Sequence, residues 1–88
     1  HLGFYIAGDD YAAVEQSNGR SDEFIPEVTD KGKPDGQQVV EGVTWTRYVS
    51  AQSGHRSLAH TQGNLTTVVT GSISYQALGD FAASLTTT

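Results

Sequence analysis

Three short stretches separated by turn residues follow one another in the second half of the sequence. They cover Val43–Val49, Arg56–Gln62 and Leu65–Gly71. The first alternates apolar and polar residues, and alternation with a period of two is typical of strands with one buried face. The residues between the stretches, at 52–54 and 63–64, include the Gly, Ser and Asn that tight turns favour. The sequence therefore predicts an antiparallel three-stranded meander over residues 39–71.

The turn lengths of this meander decide which side chains share a face of the sheet. A two-residue turn at 63–64 sets Leu58 opposite Val69. In the preceding turn, an even number of loop residues (two or four) places Trp45 on the Leu58 face, whereas an odd number places Tyr48 there. We favour the even loop because it gathers the larger set of apolar side chains on one face.

The first half of the sequence predicts a hairpin, a short helix and an exposed loop. Aromatic and β-branched residues on both sides of a Gly-Asp-Asp turn predict the hairpin over residues 2–17. Ser21 and the two acids after it form a helix-capping pattern, and Pro26 is expected to delay the helix or reduce it to one irregular turn. Residues 29–38 have the Gly, Pro, Lys and Asp composition of an exposed loop.

The C-terminal segment predicts an amphipathic helix. Ser74 is a good N-cap, and Ile73 before it is placed to pack onto the first helical turn. Apolar residues then recur at helical spacing, at Leu78, Phe81, Ala82 and Leu85. We expect this helix to lie across the meander, with Gly79 marking either a close approach to the sheet or a tolerated weak point.

Together these elements predict an α+β fold. We expect an antiparallel sheet of about five strands, formed by the hairpin and the meander, with the short helix between them and the C-terminal helix packed on one face. The 88 residues are sufficient for one small core, so residues 1–88 are expected to form a single domain. The sequence opens inside a strand pattern without an initiator Met, so we expect the C-terminal part of a longer protein.

Charge and cysteine content exclude several classes of function. The net charge is −5, and nine of the ten acidic residues precede residue 45. This balance argues against a nucleic-acid partner, because phosphate backbones recruit basic surfaces. The absence of Cys excludes disulfide frameworks, thiolate zinc sites and Cys nucleophiles.

Motifs for catalysis or metal binding are weak. His55 and His60 are five residues apart, so on one strand they point to opposite faces and cannot share an ion. The strings at 19–23 and 71–75 lack the closing Gly of a nucleophile elbow. The acids of the first half lack the spacing of a calcium loop. We therefore predict no catalytic residue, no metal ligand and no cofactor.

The most informative constellation is formed by Trp45, Arg47 and His60, which share one face of the meander if the even loop is correct. An aromatic ring, a fixed cation and a titratable imidazole on one surface could bind an anionic or sugar-like ligand. In the competing interpretation, Trp45 belongs to the core and Arg47 lays its aliphatic stem along the apolar edge with its guanidinium in water.

The second half of the sequence also resembles a known family. The similarity lies in four segments, which are Gly-Val-Thr-Trp-Thr-Arg-Tyr at 42–48, His-Arg-Ser-Leu at 55–58, Leu-Thr-Thr-Val-Val-Thr-Gly at 65–71 and the helix at 78–85. They are similar to an actinobacterial family catalogued as domain of unknown function 4245. Residues 3–5 and 11–17 resemble the preceding hairpin of that family. These motifs are packing and turn patterns, so the resemblance carries no catalytic residue.

The resemblance implies an extracytoplasmic domain tethered by one N-terminal membrane helix, with a further segment between that helix and the first residue of this chain. A strand from that segment would complete the sheet. Without it, the sheet is expected to keep an open edge that a second copy could fill.

Three hypotheses of function follow. The first is a non-enzymatic extracytoplasmic binding or scaffolding module of the actinobacterial cell envelope, whose partner is a protein or an envelope ligand. It would meet the membrane only through the tether. The second is a small-ligand site, with or without hydrolytic chemistry, near Trp45, Arg47 and His60. The third is homo-oligomerisation through open sheet edges.

Overall fold

In the computed structural model, the described backbone covers residues 2–5, 10–18 and 21–86, and the described side chains cover 10–18 and 23–84. Most of the expected turn at 8–10 lies outside these residues. Within them the chain forms six strands and two helices, in the order β1 (Leu2–Tyr5), β2 (Tyr11–Ser17), α1 (Ser21–Val28), β3 (Lys33–Val40), β4 (Val43–Val49), β5 (Arg56–Gln62), β6 (Leu65–Gly71) and α2 (Tyr75–Thr86).

The strands form one antiparallel sheet in the order β1-β2-β6-β5-β4-β3. Pairing of β2 with β6 joins the N-terminal hairpin to the meander. One sheet with helices on its faces is an α+β architecture, so the expected fold class is confirmed.

The register of the meander is the expected one. Leu58 pairs with Val69 across β5 and β6, and Arg47 pairs with Leu58 across β4 and β5. The loop between β4 and β5 covers residues 50–55, which is an even number although longer than expected. Trp45, two residues before Arg47 on β4, therefore lies on the Leu58 face, as the even-loop hypothesis requires.

The expected exposed loop at 29–38 is wrong in its second part, where β3 forms a sixth strand. β3 pairs with β4, and the register shifts between Pro34 and Gln37, where Gly36 has a φ of 94°. Proline and a shifted register are tolerated here because β3 is an edge strand and forms ladder hydrogen bonds on one side only. The loop-like composition therefore belongs to an irregular edge strand.

A two-residue turn connects β3 to β4. Glu41 and Gly42 both have positive φ, at 51° and 78°, between the paired residues Val40 and Val43. This backbone matches the type I′ turn, whose twist suits the right-handed twist of the flanking strands. The turn extends the meander to four consecutive antiparallel strands.

Helix α2 covers one face of the sheet. Ser74 caps it, since the Ala77 backbone N–H donates to Ser74 Oγ at 3.1 Å. The buried core lies beneath the helix and consists of Ala12, Val14, Val40, Trp45, Leu58, Val69, Ile73, Leu78 and Ala82. Phe81 is partly buried against it. The expected position and cap of the C-terminal helix are both confirmed.

Helix α1 packs against β2 and β6. It runs through Pro26, so the expectation that this proline delays or shortens the helix is wrong. Pro26 is exposed, and its backbone carbonyl still accepts a hydrogen bond from Lys31 N at 2.8 Å. The helix thus forms even though Pro26 has no N–H to donate to the preceding turn.

Candidate functional site

Trp45 is a core residue. Its side chain is 4% exposed and belongs to the buried cluster beneath α2. Its ring centroid lies 5.3 Å from that of His60, with the two ring planes tilted by 43°. The indole Nε1–H is buried and has no hydrogen-bond partner among the described residues. Trp45 and His60 therefore pack together as the register predicts, but the Trp45 ring is sealed in the core.

Arg47 shares this sheet face but directs its guanidinium elsewhere. Its Nε donates to Gln38 Oε1 at 3.0 Å, across from β4 to β3. Its Cζ lies 4.7 Å from the ring centroid of Tyr75, the first residue of α2. The three residues singled out from the sequence thus share one face of the sheet but have different contacts. Trp45 contacts His60, whereas Arg47 contacts Tyr75.

Tyr75 is the centre of a polar cluster at the beginning of α2. Arg56, the first residue of β5, places its Cζ 5.8 Å from the Tyr75 ring centroid, so two guanidinium groups face one ring. The Tyr75 hydroxyl lies 2.9 Å from Asp35 Oδ2 and 3.2 Å from the Tyr48 carbonyl oxygen. Its single hydrogen therefore has two acceptors to share.

The pKa of Tyr75 is raised to about 12. Partial burial is the largest cause, and the hydrogen bond to Asp35 and the negative charge of Asp35 raise the pKa further. Arg56 and Arg47 lower it, but by less than the other effects raise it. At neutral pH Tyr75 is consequently a neutral hydrogen-bond donor beside two permanent cations.

Gln38 holds this cluster against the sheet. Its Nε2 donates to the Tyr75 carbonyl oxygen at 3.0 Å, while its Oε1 accepts from Arg47. Helix α2 approaches closely here, since a Cβ added at Gly79 would collide with Gln38 Nε2. Gly79 thus marks a close approach, one of the two interpretations left open by the sequence. We call Gln38, Asp35, Arg47, Arg56 and Tyr75 the Arg–Tyr cluster.

A cleft of about 240 Å³ runs between the β3 edge of the sheet and α2. Its lining residues are Gln38, Val39, Val40, Glu41, Gln76, Gly79, Asp80 and Ala83. Val39 is 68% exposed, which is unusual for a large aliphatic side chain, and Glu41 and Asp80 contribute two exposed carboxylates. We call this feature the β3–α2 cleft. It combines an acidic rim with the free side of an edge strand, and the exposed Val39 side chain lies on the other face of that strand.

His55, His60 and Ser57 each have a contact with another described residue. The His55 ring lies 6.4 Å from the Tyr11 ring, whereas His60 lies against Trp45. Within the described residues no three His, Cys, Asp or Glu side chains are close enough to hold a metal ion. Of the buried hydroxyls, Ser57 donates to Thr70 Oγ1 at 2.8 Å.

Sequence reasoning missed most of the Arg–Tyr cluster. Arg56 could have been found, since its even spacing from Leu58 places it on the Trp45 face of the sheet. Gln38 could not, because its segment was expected to be a loop. Tyr75 reaches the sheet only through the docking of α2, which no local sequence pattern reports.

A model of the family described as "protein of unknown function (DUF4245)" matches residues 1–85. The resemblance noted from the sequence is thereby confirmed at the level of the family. No curated protein and no solved structure matches the chain significantly. Of the helices in the described part of the chain, neither is both long and apolar enough to cross a membrane.

Proposed function

The chain belongs to the DUF4245 family of proteins of unknown function, and from its geometry we propose that it is a non-enzymatic binding module that captures an extended, basic segment of a protein partner in the β3–α2 cleft. The observation that carries this proposal is the combination of an edge strand with an acidic, partly apolar cleft beside it. Extended peptides commonly bind by adding a strand to such an edge, while adjacent pockets take alternate side chains.

The residues of the cleft define the chemistry of the partner. Val39 alternates with Gln38 and Val40, which face α2, so its exposed side chain lies on the opposite face of β3. It favours an apolar side chain on that face of an added peptide strand. Glu41 and Asp80 place two carboxylates on the cleft, so the peptide should carry Lys or Arg at neighbouring positions. The net charge of −5 strengthens the attraction over a longer range.

The same charges disfavour a second copy of this chain as the occupant. Two copies would bring like charges together at the cleft. The beginning of β3 also carries Lys33, Pro34 and a shifted register, which are features that hinder edge-to-edge pairing of sheets. Homo-oligomerisation through this edge is therefore the weaker alternative.

The proposal includes a location outside the cytoplasm, with a tether to the actinobacterial cell membrane. This part is supported by the family resemblance alone. The absence of catalysis is supported by the lack of Cys and by the hydrogen bonds that occupy the buried Ser57 and Thr70 hydroxyls. A turnover that depends on His60 or Arg47 would contradict it.

Binding of two synthetic peptides tests the proposal. One peptide alternates Lys and Val, and the other alternates Glu and Val at the same length. Val39→Lys introduces a positive charge on the face of β3 that points away from α2, where an added peptide strand would place its apolar side chains. Leu65→Lys is the matched control, because Leu65 is also an exposed aliphatic residue (44%) but lies at the start of β6.

We expect the Lys–Val peptide to bind the unchanged chain and the Leu65→Lys variant equally, and to bind the Val39→Lys variant about tenfold or more weakly. The Glu–Val peptide should not bind. Equal affinities for the two variants, or equal binding of the two peptides, would contradict the proposal. A molecular mass in solution that rises with protein concentration, and that Val39→Lys lowers, would instead support a second copy of the chain as the partner at the β3–α2 cleft.

A further inference from the structure

We propose that the Arg–Tyr cluster is a binding site for an oxyanion, the carboxylate or phosphate group of a ligand. This site is separate in chemistry from the β3–α2 cleft, which is acidic. It also differs from the site expected from the sequence, because it keeps Arg47 and replaces Trp45 and His60 with Arg56 and Tyr75.

The sheet register brings the two arginines together. Arg47 pairs with Leu58, and Arg56 pairs with Val49, so the arginines are diagonal neighbours on the same face of β4 and β5. Their guanidinium carbons lie 4.7 and 5.8 Å from the centroid of the single Tyr75 ring. Like charges at diagonal positions of one sheet face repel each other, and an anion bound beside both would relieve the repulsion.

Both arginines can offer donors to a ligand. Arg47 donates to Gln38 through Nε, which fixes the plane of the guanidinium. The Nη groups of Arg47 can then donate to a ligand. Arg56 is only partly buried, and its Cζ lies over the Tyr75 ring, 5.8 Å from the ring centroid. Forked guanidinium donors match the paired oxygens of carboxylates and phosphates, which makes Arg the usual residue for this recognition.

The charge balance of the cluster leaves it positive. Asp35 is the carboxylate that reaches the cluster within the described residues, and its Oδ2 is engaged by the Tyr75 hydroxyl. The cluster therefore holds two positive charges, on Arg47 and Arg56, and one negative charge, on Asp35. Tyr75 begins α2, so the partial positive charge of the helix N-terminus adds to the same side.

Asp35 also gives the proposal its sharpest test. Its exposed carboxylate acts as an internal competitor of the ligand, because it is the negative charge already present. Asp35→Asn should therefore strengthen oxyanion binding, whereas Arg56→Gln should weaken it. A residue that merely supported the fold would not give effects of opposite sign. Lys31→Gln removes a cation from the exposed turn after α1 and is the matched control.

The experiment is a titration of the isotope-labelled chain with inorganic phosphate and, separately, with acetate, both at constant ionic strength, followed by backbone amide chemical shifts. We expect saturable shifts around Tyr75 and Arg56, an affinity about tenfold lower in Arg56→Gln, a higher affinity in Asp35→Asn and no change in Lys31→Gln. Saturation by phosphate alone, acetate alone or both would identify the oxyanion class.

The proposal is overturned if neither anion shifts these amides saturably, or if Arg56→Gln and Lys31→Gln weaken binding equally. Val39→Lys distinguishes a failure of the oxyanion proposal from a failure of the proposed peptide binding. This variant should weaken peptide binding at the edge strand β3 and leave the affinity for the oxyanion unchanged.

Discussion

Gln38 and Arg47 meet across the outermost strand pair of the sheet, where Arg47 Nε donates to Gln38 Oε1 at 3.0 Å. The other end of the same amide donates to the Tyr75 carbonyl oxygen of α2 at 3.0 Å. One side chain on β3 thus fixes an arginine of β4 and the first turn of the helix. Gln38 also lines the β3–α2 cleft, so it lies between the two proposed binding surfaces.

The close approach at Gly79 gives a first prediction. Ala is favoured over Gly by about 1 kcal/mol in a helix interior. However, a Cβ at Gly79 would displace the Gln38 amide and break hydrogen bonds, one of them to a charged group, at about 1 to 3 kcal/mol each. Gly79→Ala should therefore lower the free energy of unfolding by about 1 kcal/mol or more in chemical denaturation.

A double-mutant cycle checks the cause of that effect. In a Gln38→Ala background the colliding amide is absent, so Gly79→Ala should raise the free energy of unfolding by about 1 kcal/mol. The same loss of stability in both backgrounds would show that Gln38 is not the group that the new Cβ displaces.

Tyr75 gives a prediction on pH dependence. Its pKa of about 12 in the folded chain lies above the usual tyrosine pKa of 10.0. The stabilisation from the protonated phenol is therefore complete below about pH 10 and is lost as the pH rises towards 12. Ultraviolet titration of tyrosinate should show a late-ionising tyrosine that disappears in Tyr75→Phe.

Asp35→Asn tests the physical origin of this shift. Because Asp35 raises the Tyr75 pKa both by its hydrogen bond and by its charge, the variant should move the late ionisation to lower pH. An unchanged titration curve in Asp35→Asn would mean that Tyr75 and Asp35 are not in contact in solution.

Substitutions of Trp45 test its role in the core. Trp45→Ala should lower the free energy of unfolding by about 3 to 5 kcal/mol, because it leaves a large cavity beneath α2. Trp45→Phe should cost less than about 1.5 kcal/mol, because it keeps an aromatic ring and removes a buried donor that has no described partner. Circular dichroism is the suitable probe, since Trp45 is the only tryptophan.

Comparable losses in Trp45→Phe and Trp45→Ala would contradict this account. That outcome would mean that the indole N–H makes an essential hydrogen bond. It would return attention to a ligand or water at Trp45, as in the small-ligand hypothesis drawn from the sequence.

The elements that could be predicted from the sequence are those with a hydrophobic period or clear turn boundaries. β4 alternates, apolar residues recur at helical spacing in α2, and turn residues separate β4, β5 and β6. The choice of an even loop then placed Trp45, Arg47 and His60 on one face. β3 was missed because Lys33, Pro34 and Gly36 suit an edge strand as well as a loop, and composition does not separate the two.

The candidate sites were less predictable than the fold. The Arg–Tyr cluster takes residues from β3, β4 and β5 on one side and Tyr75 of α2 on the other, and the two sides meet only when α2 docks on the sheet. A face shared by Arg47 and Arg56 follows from register, but the contact of both with Tyr75 depends on the position of the helix. The β3–α2 cleft likewise requires a strand that the sequence did not reveal.

The most direct test of the central claim is a map of backbone amide shifts on adding the Lys–Val peptide to the isotope-labelled chain. We expect the largest shifts along residues 37–41 of β3 and its turn and along 76–83 of α2, on the two sides of the cleft. Shifts that centre on another part of the sheet, or no saturable shift, would contradict the account of this chain as a binding module that uses the β3–α2 cleft.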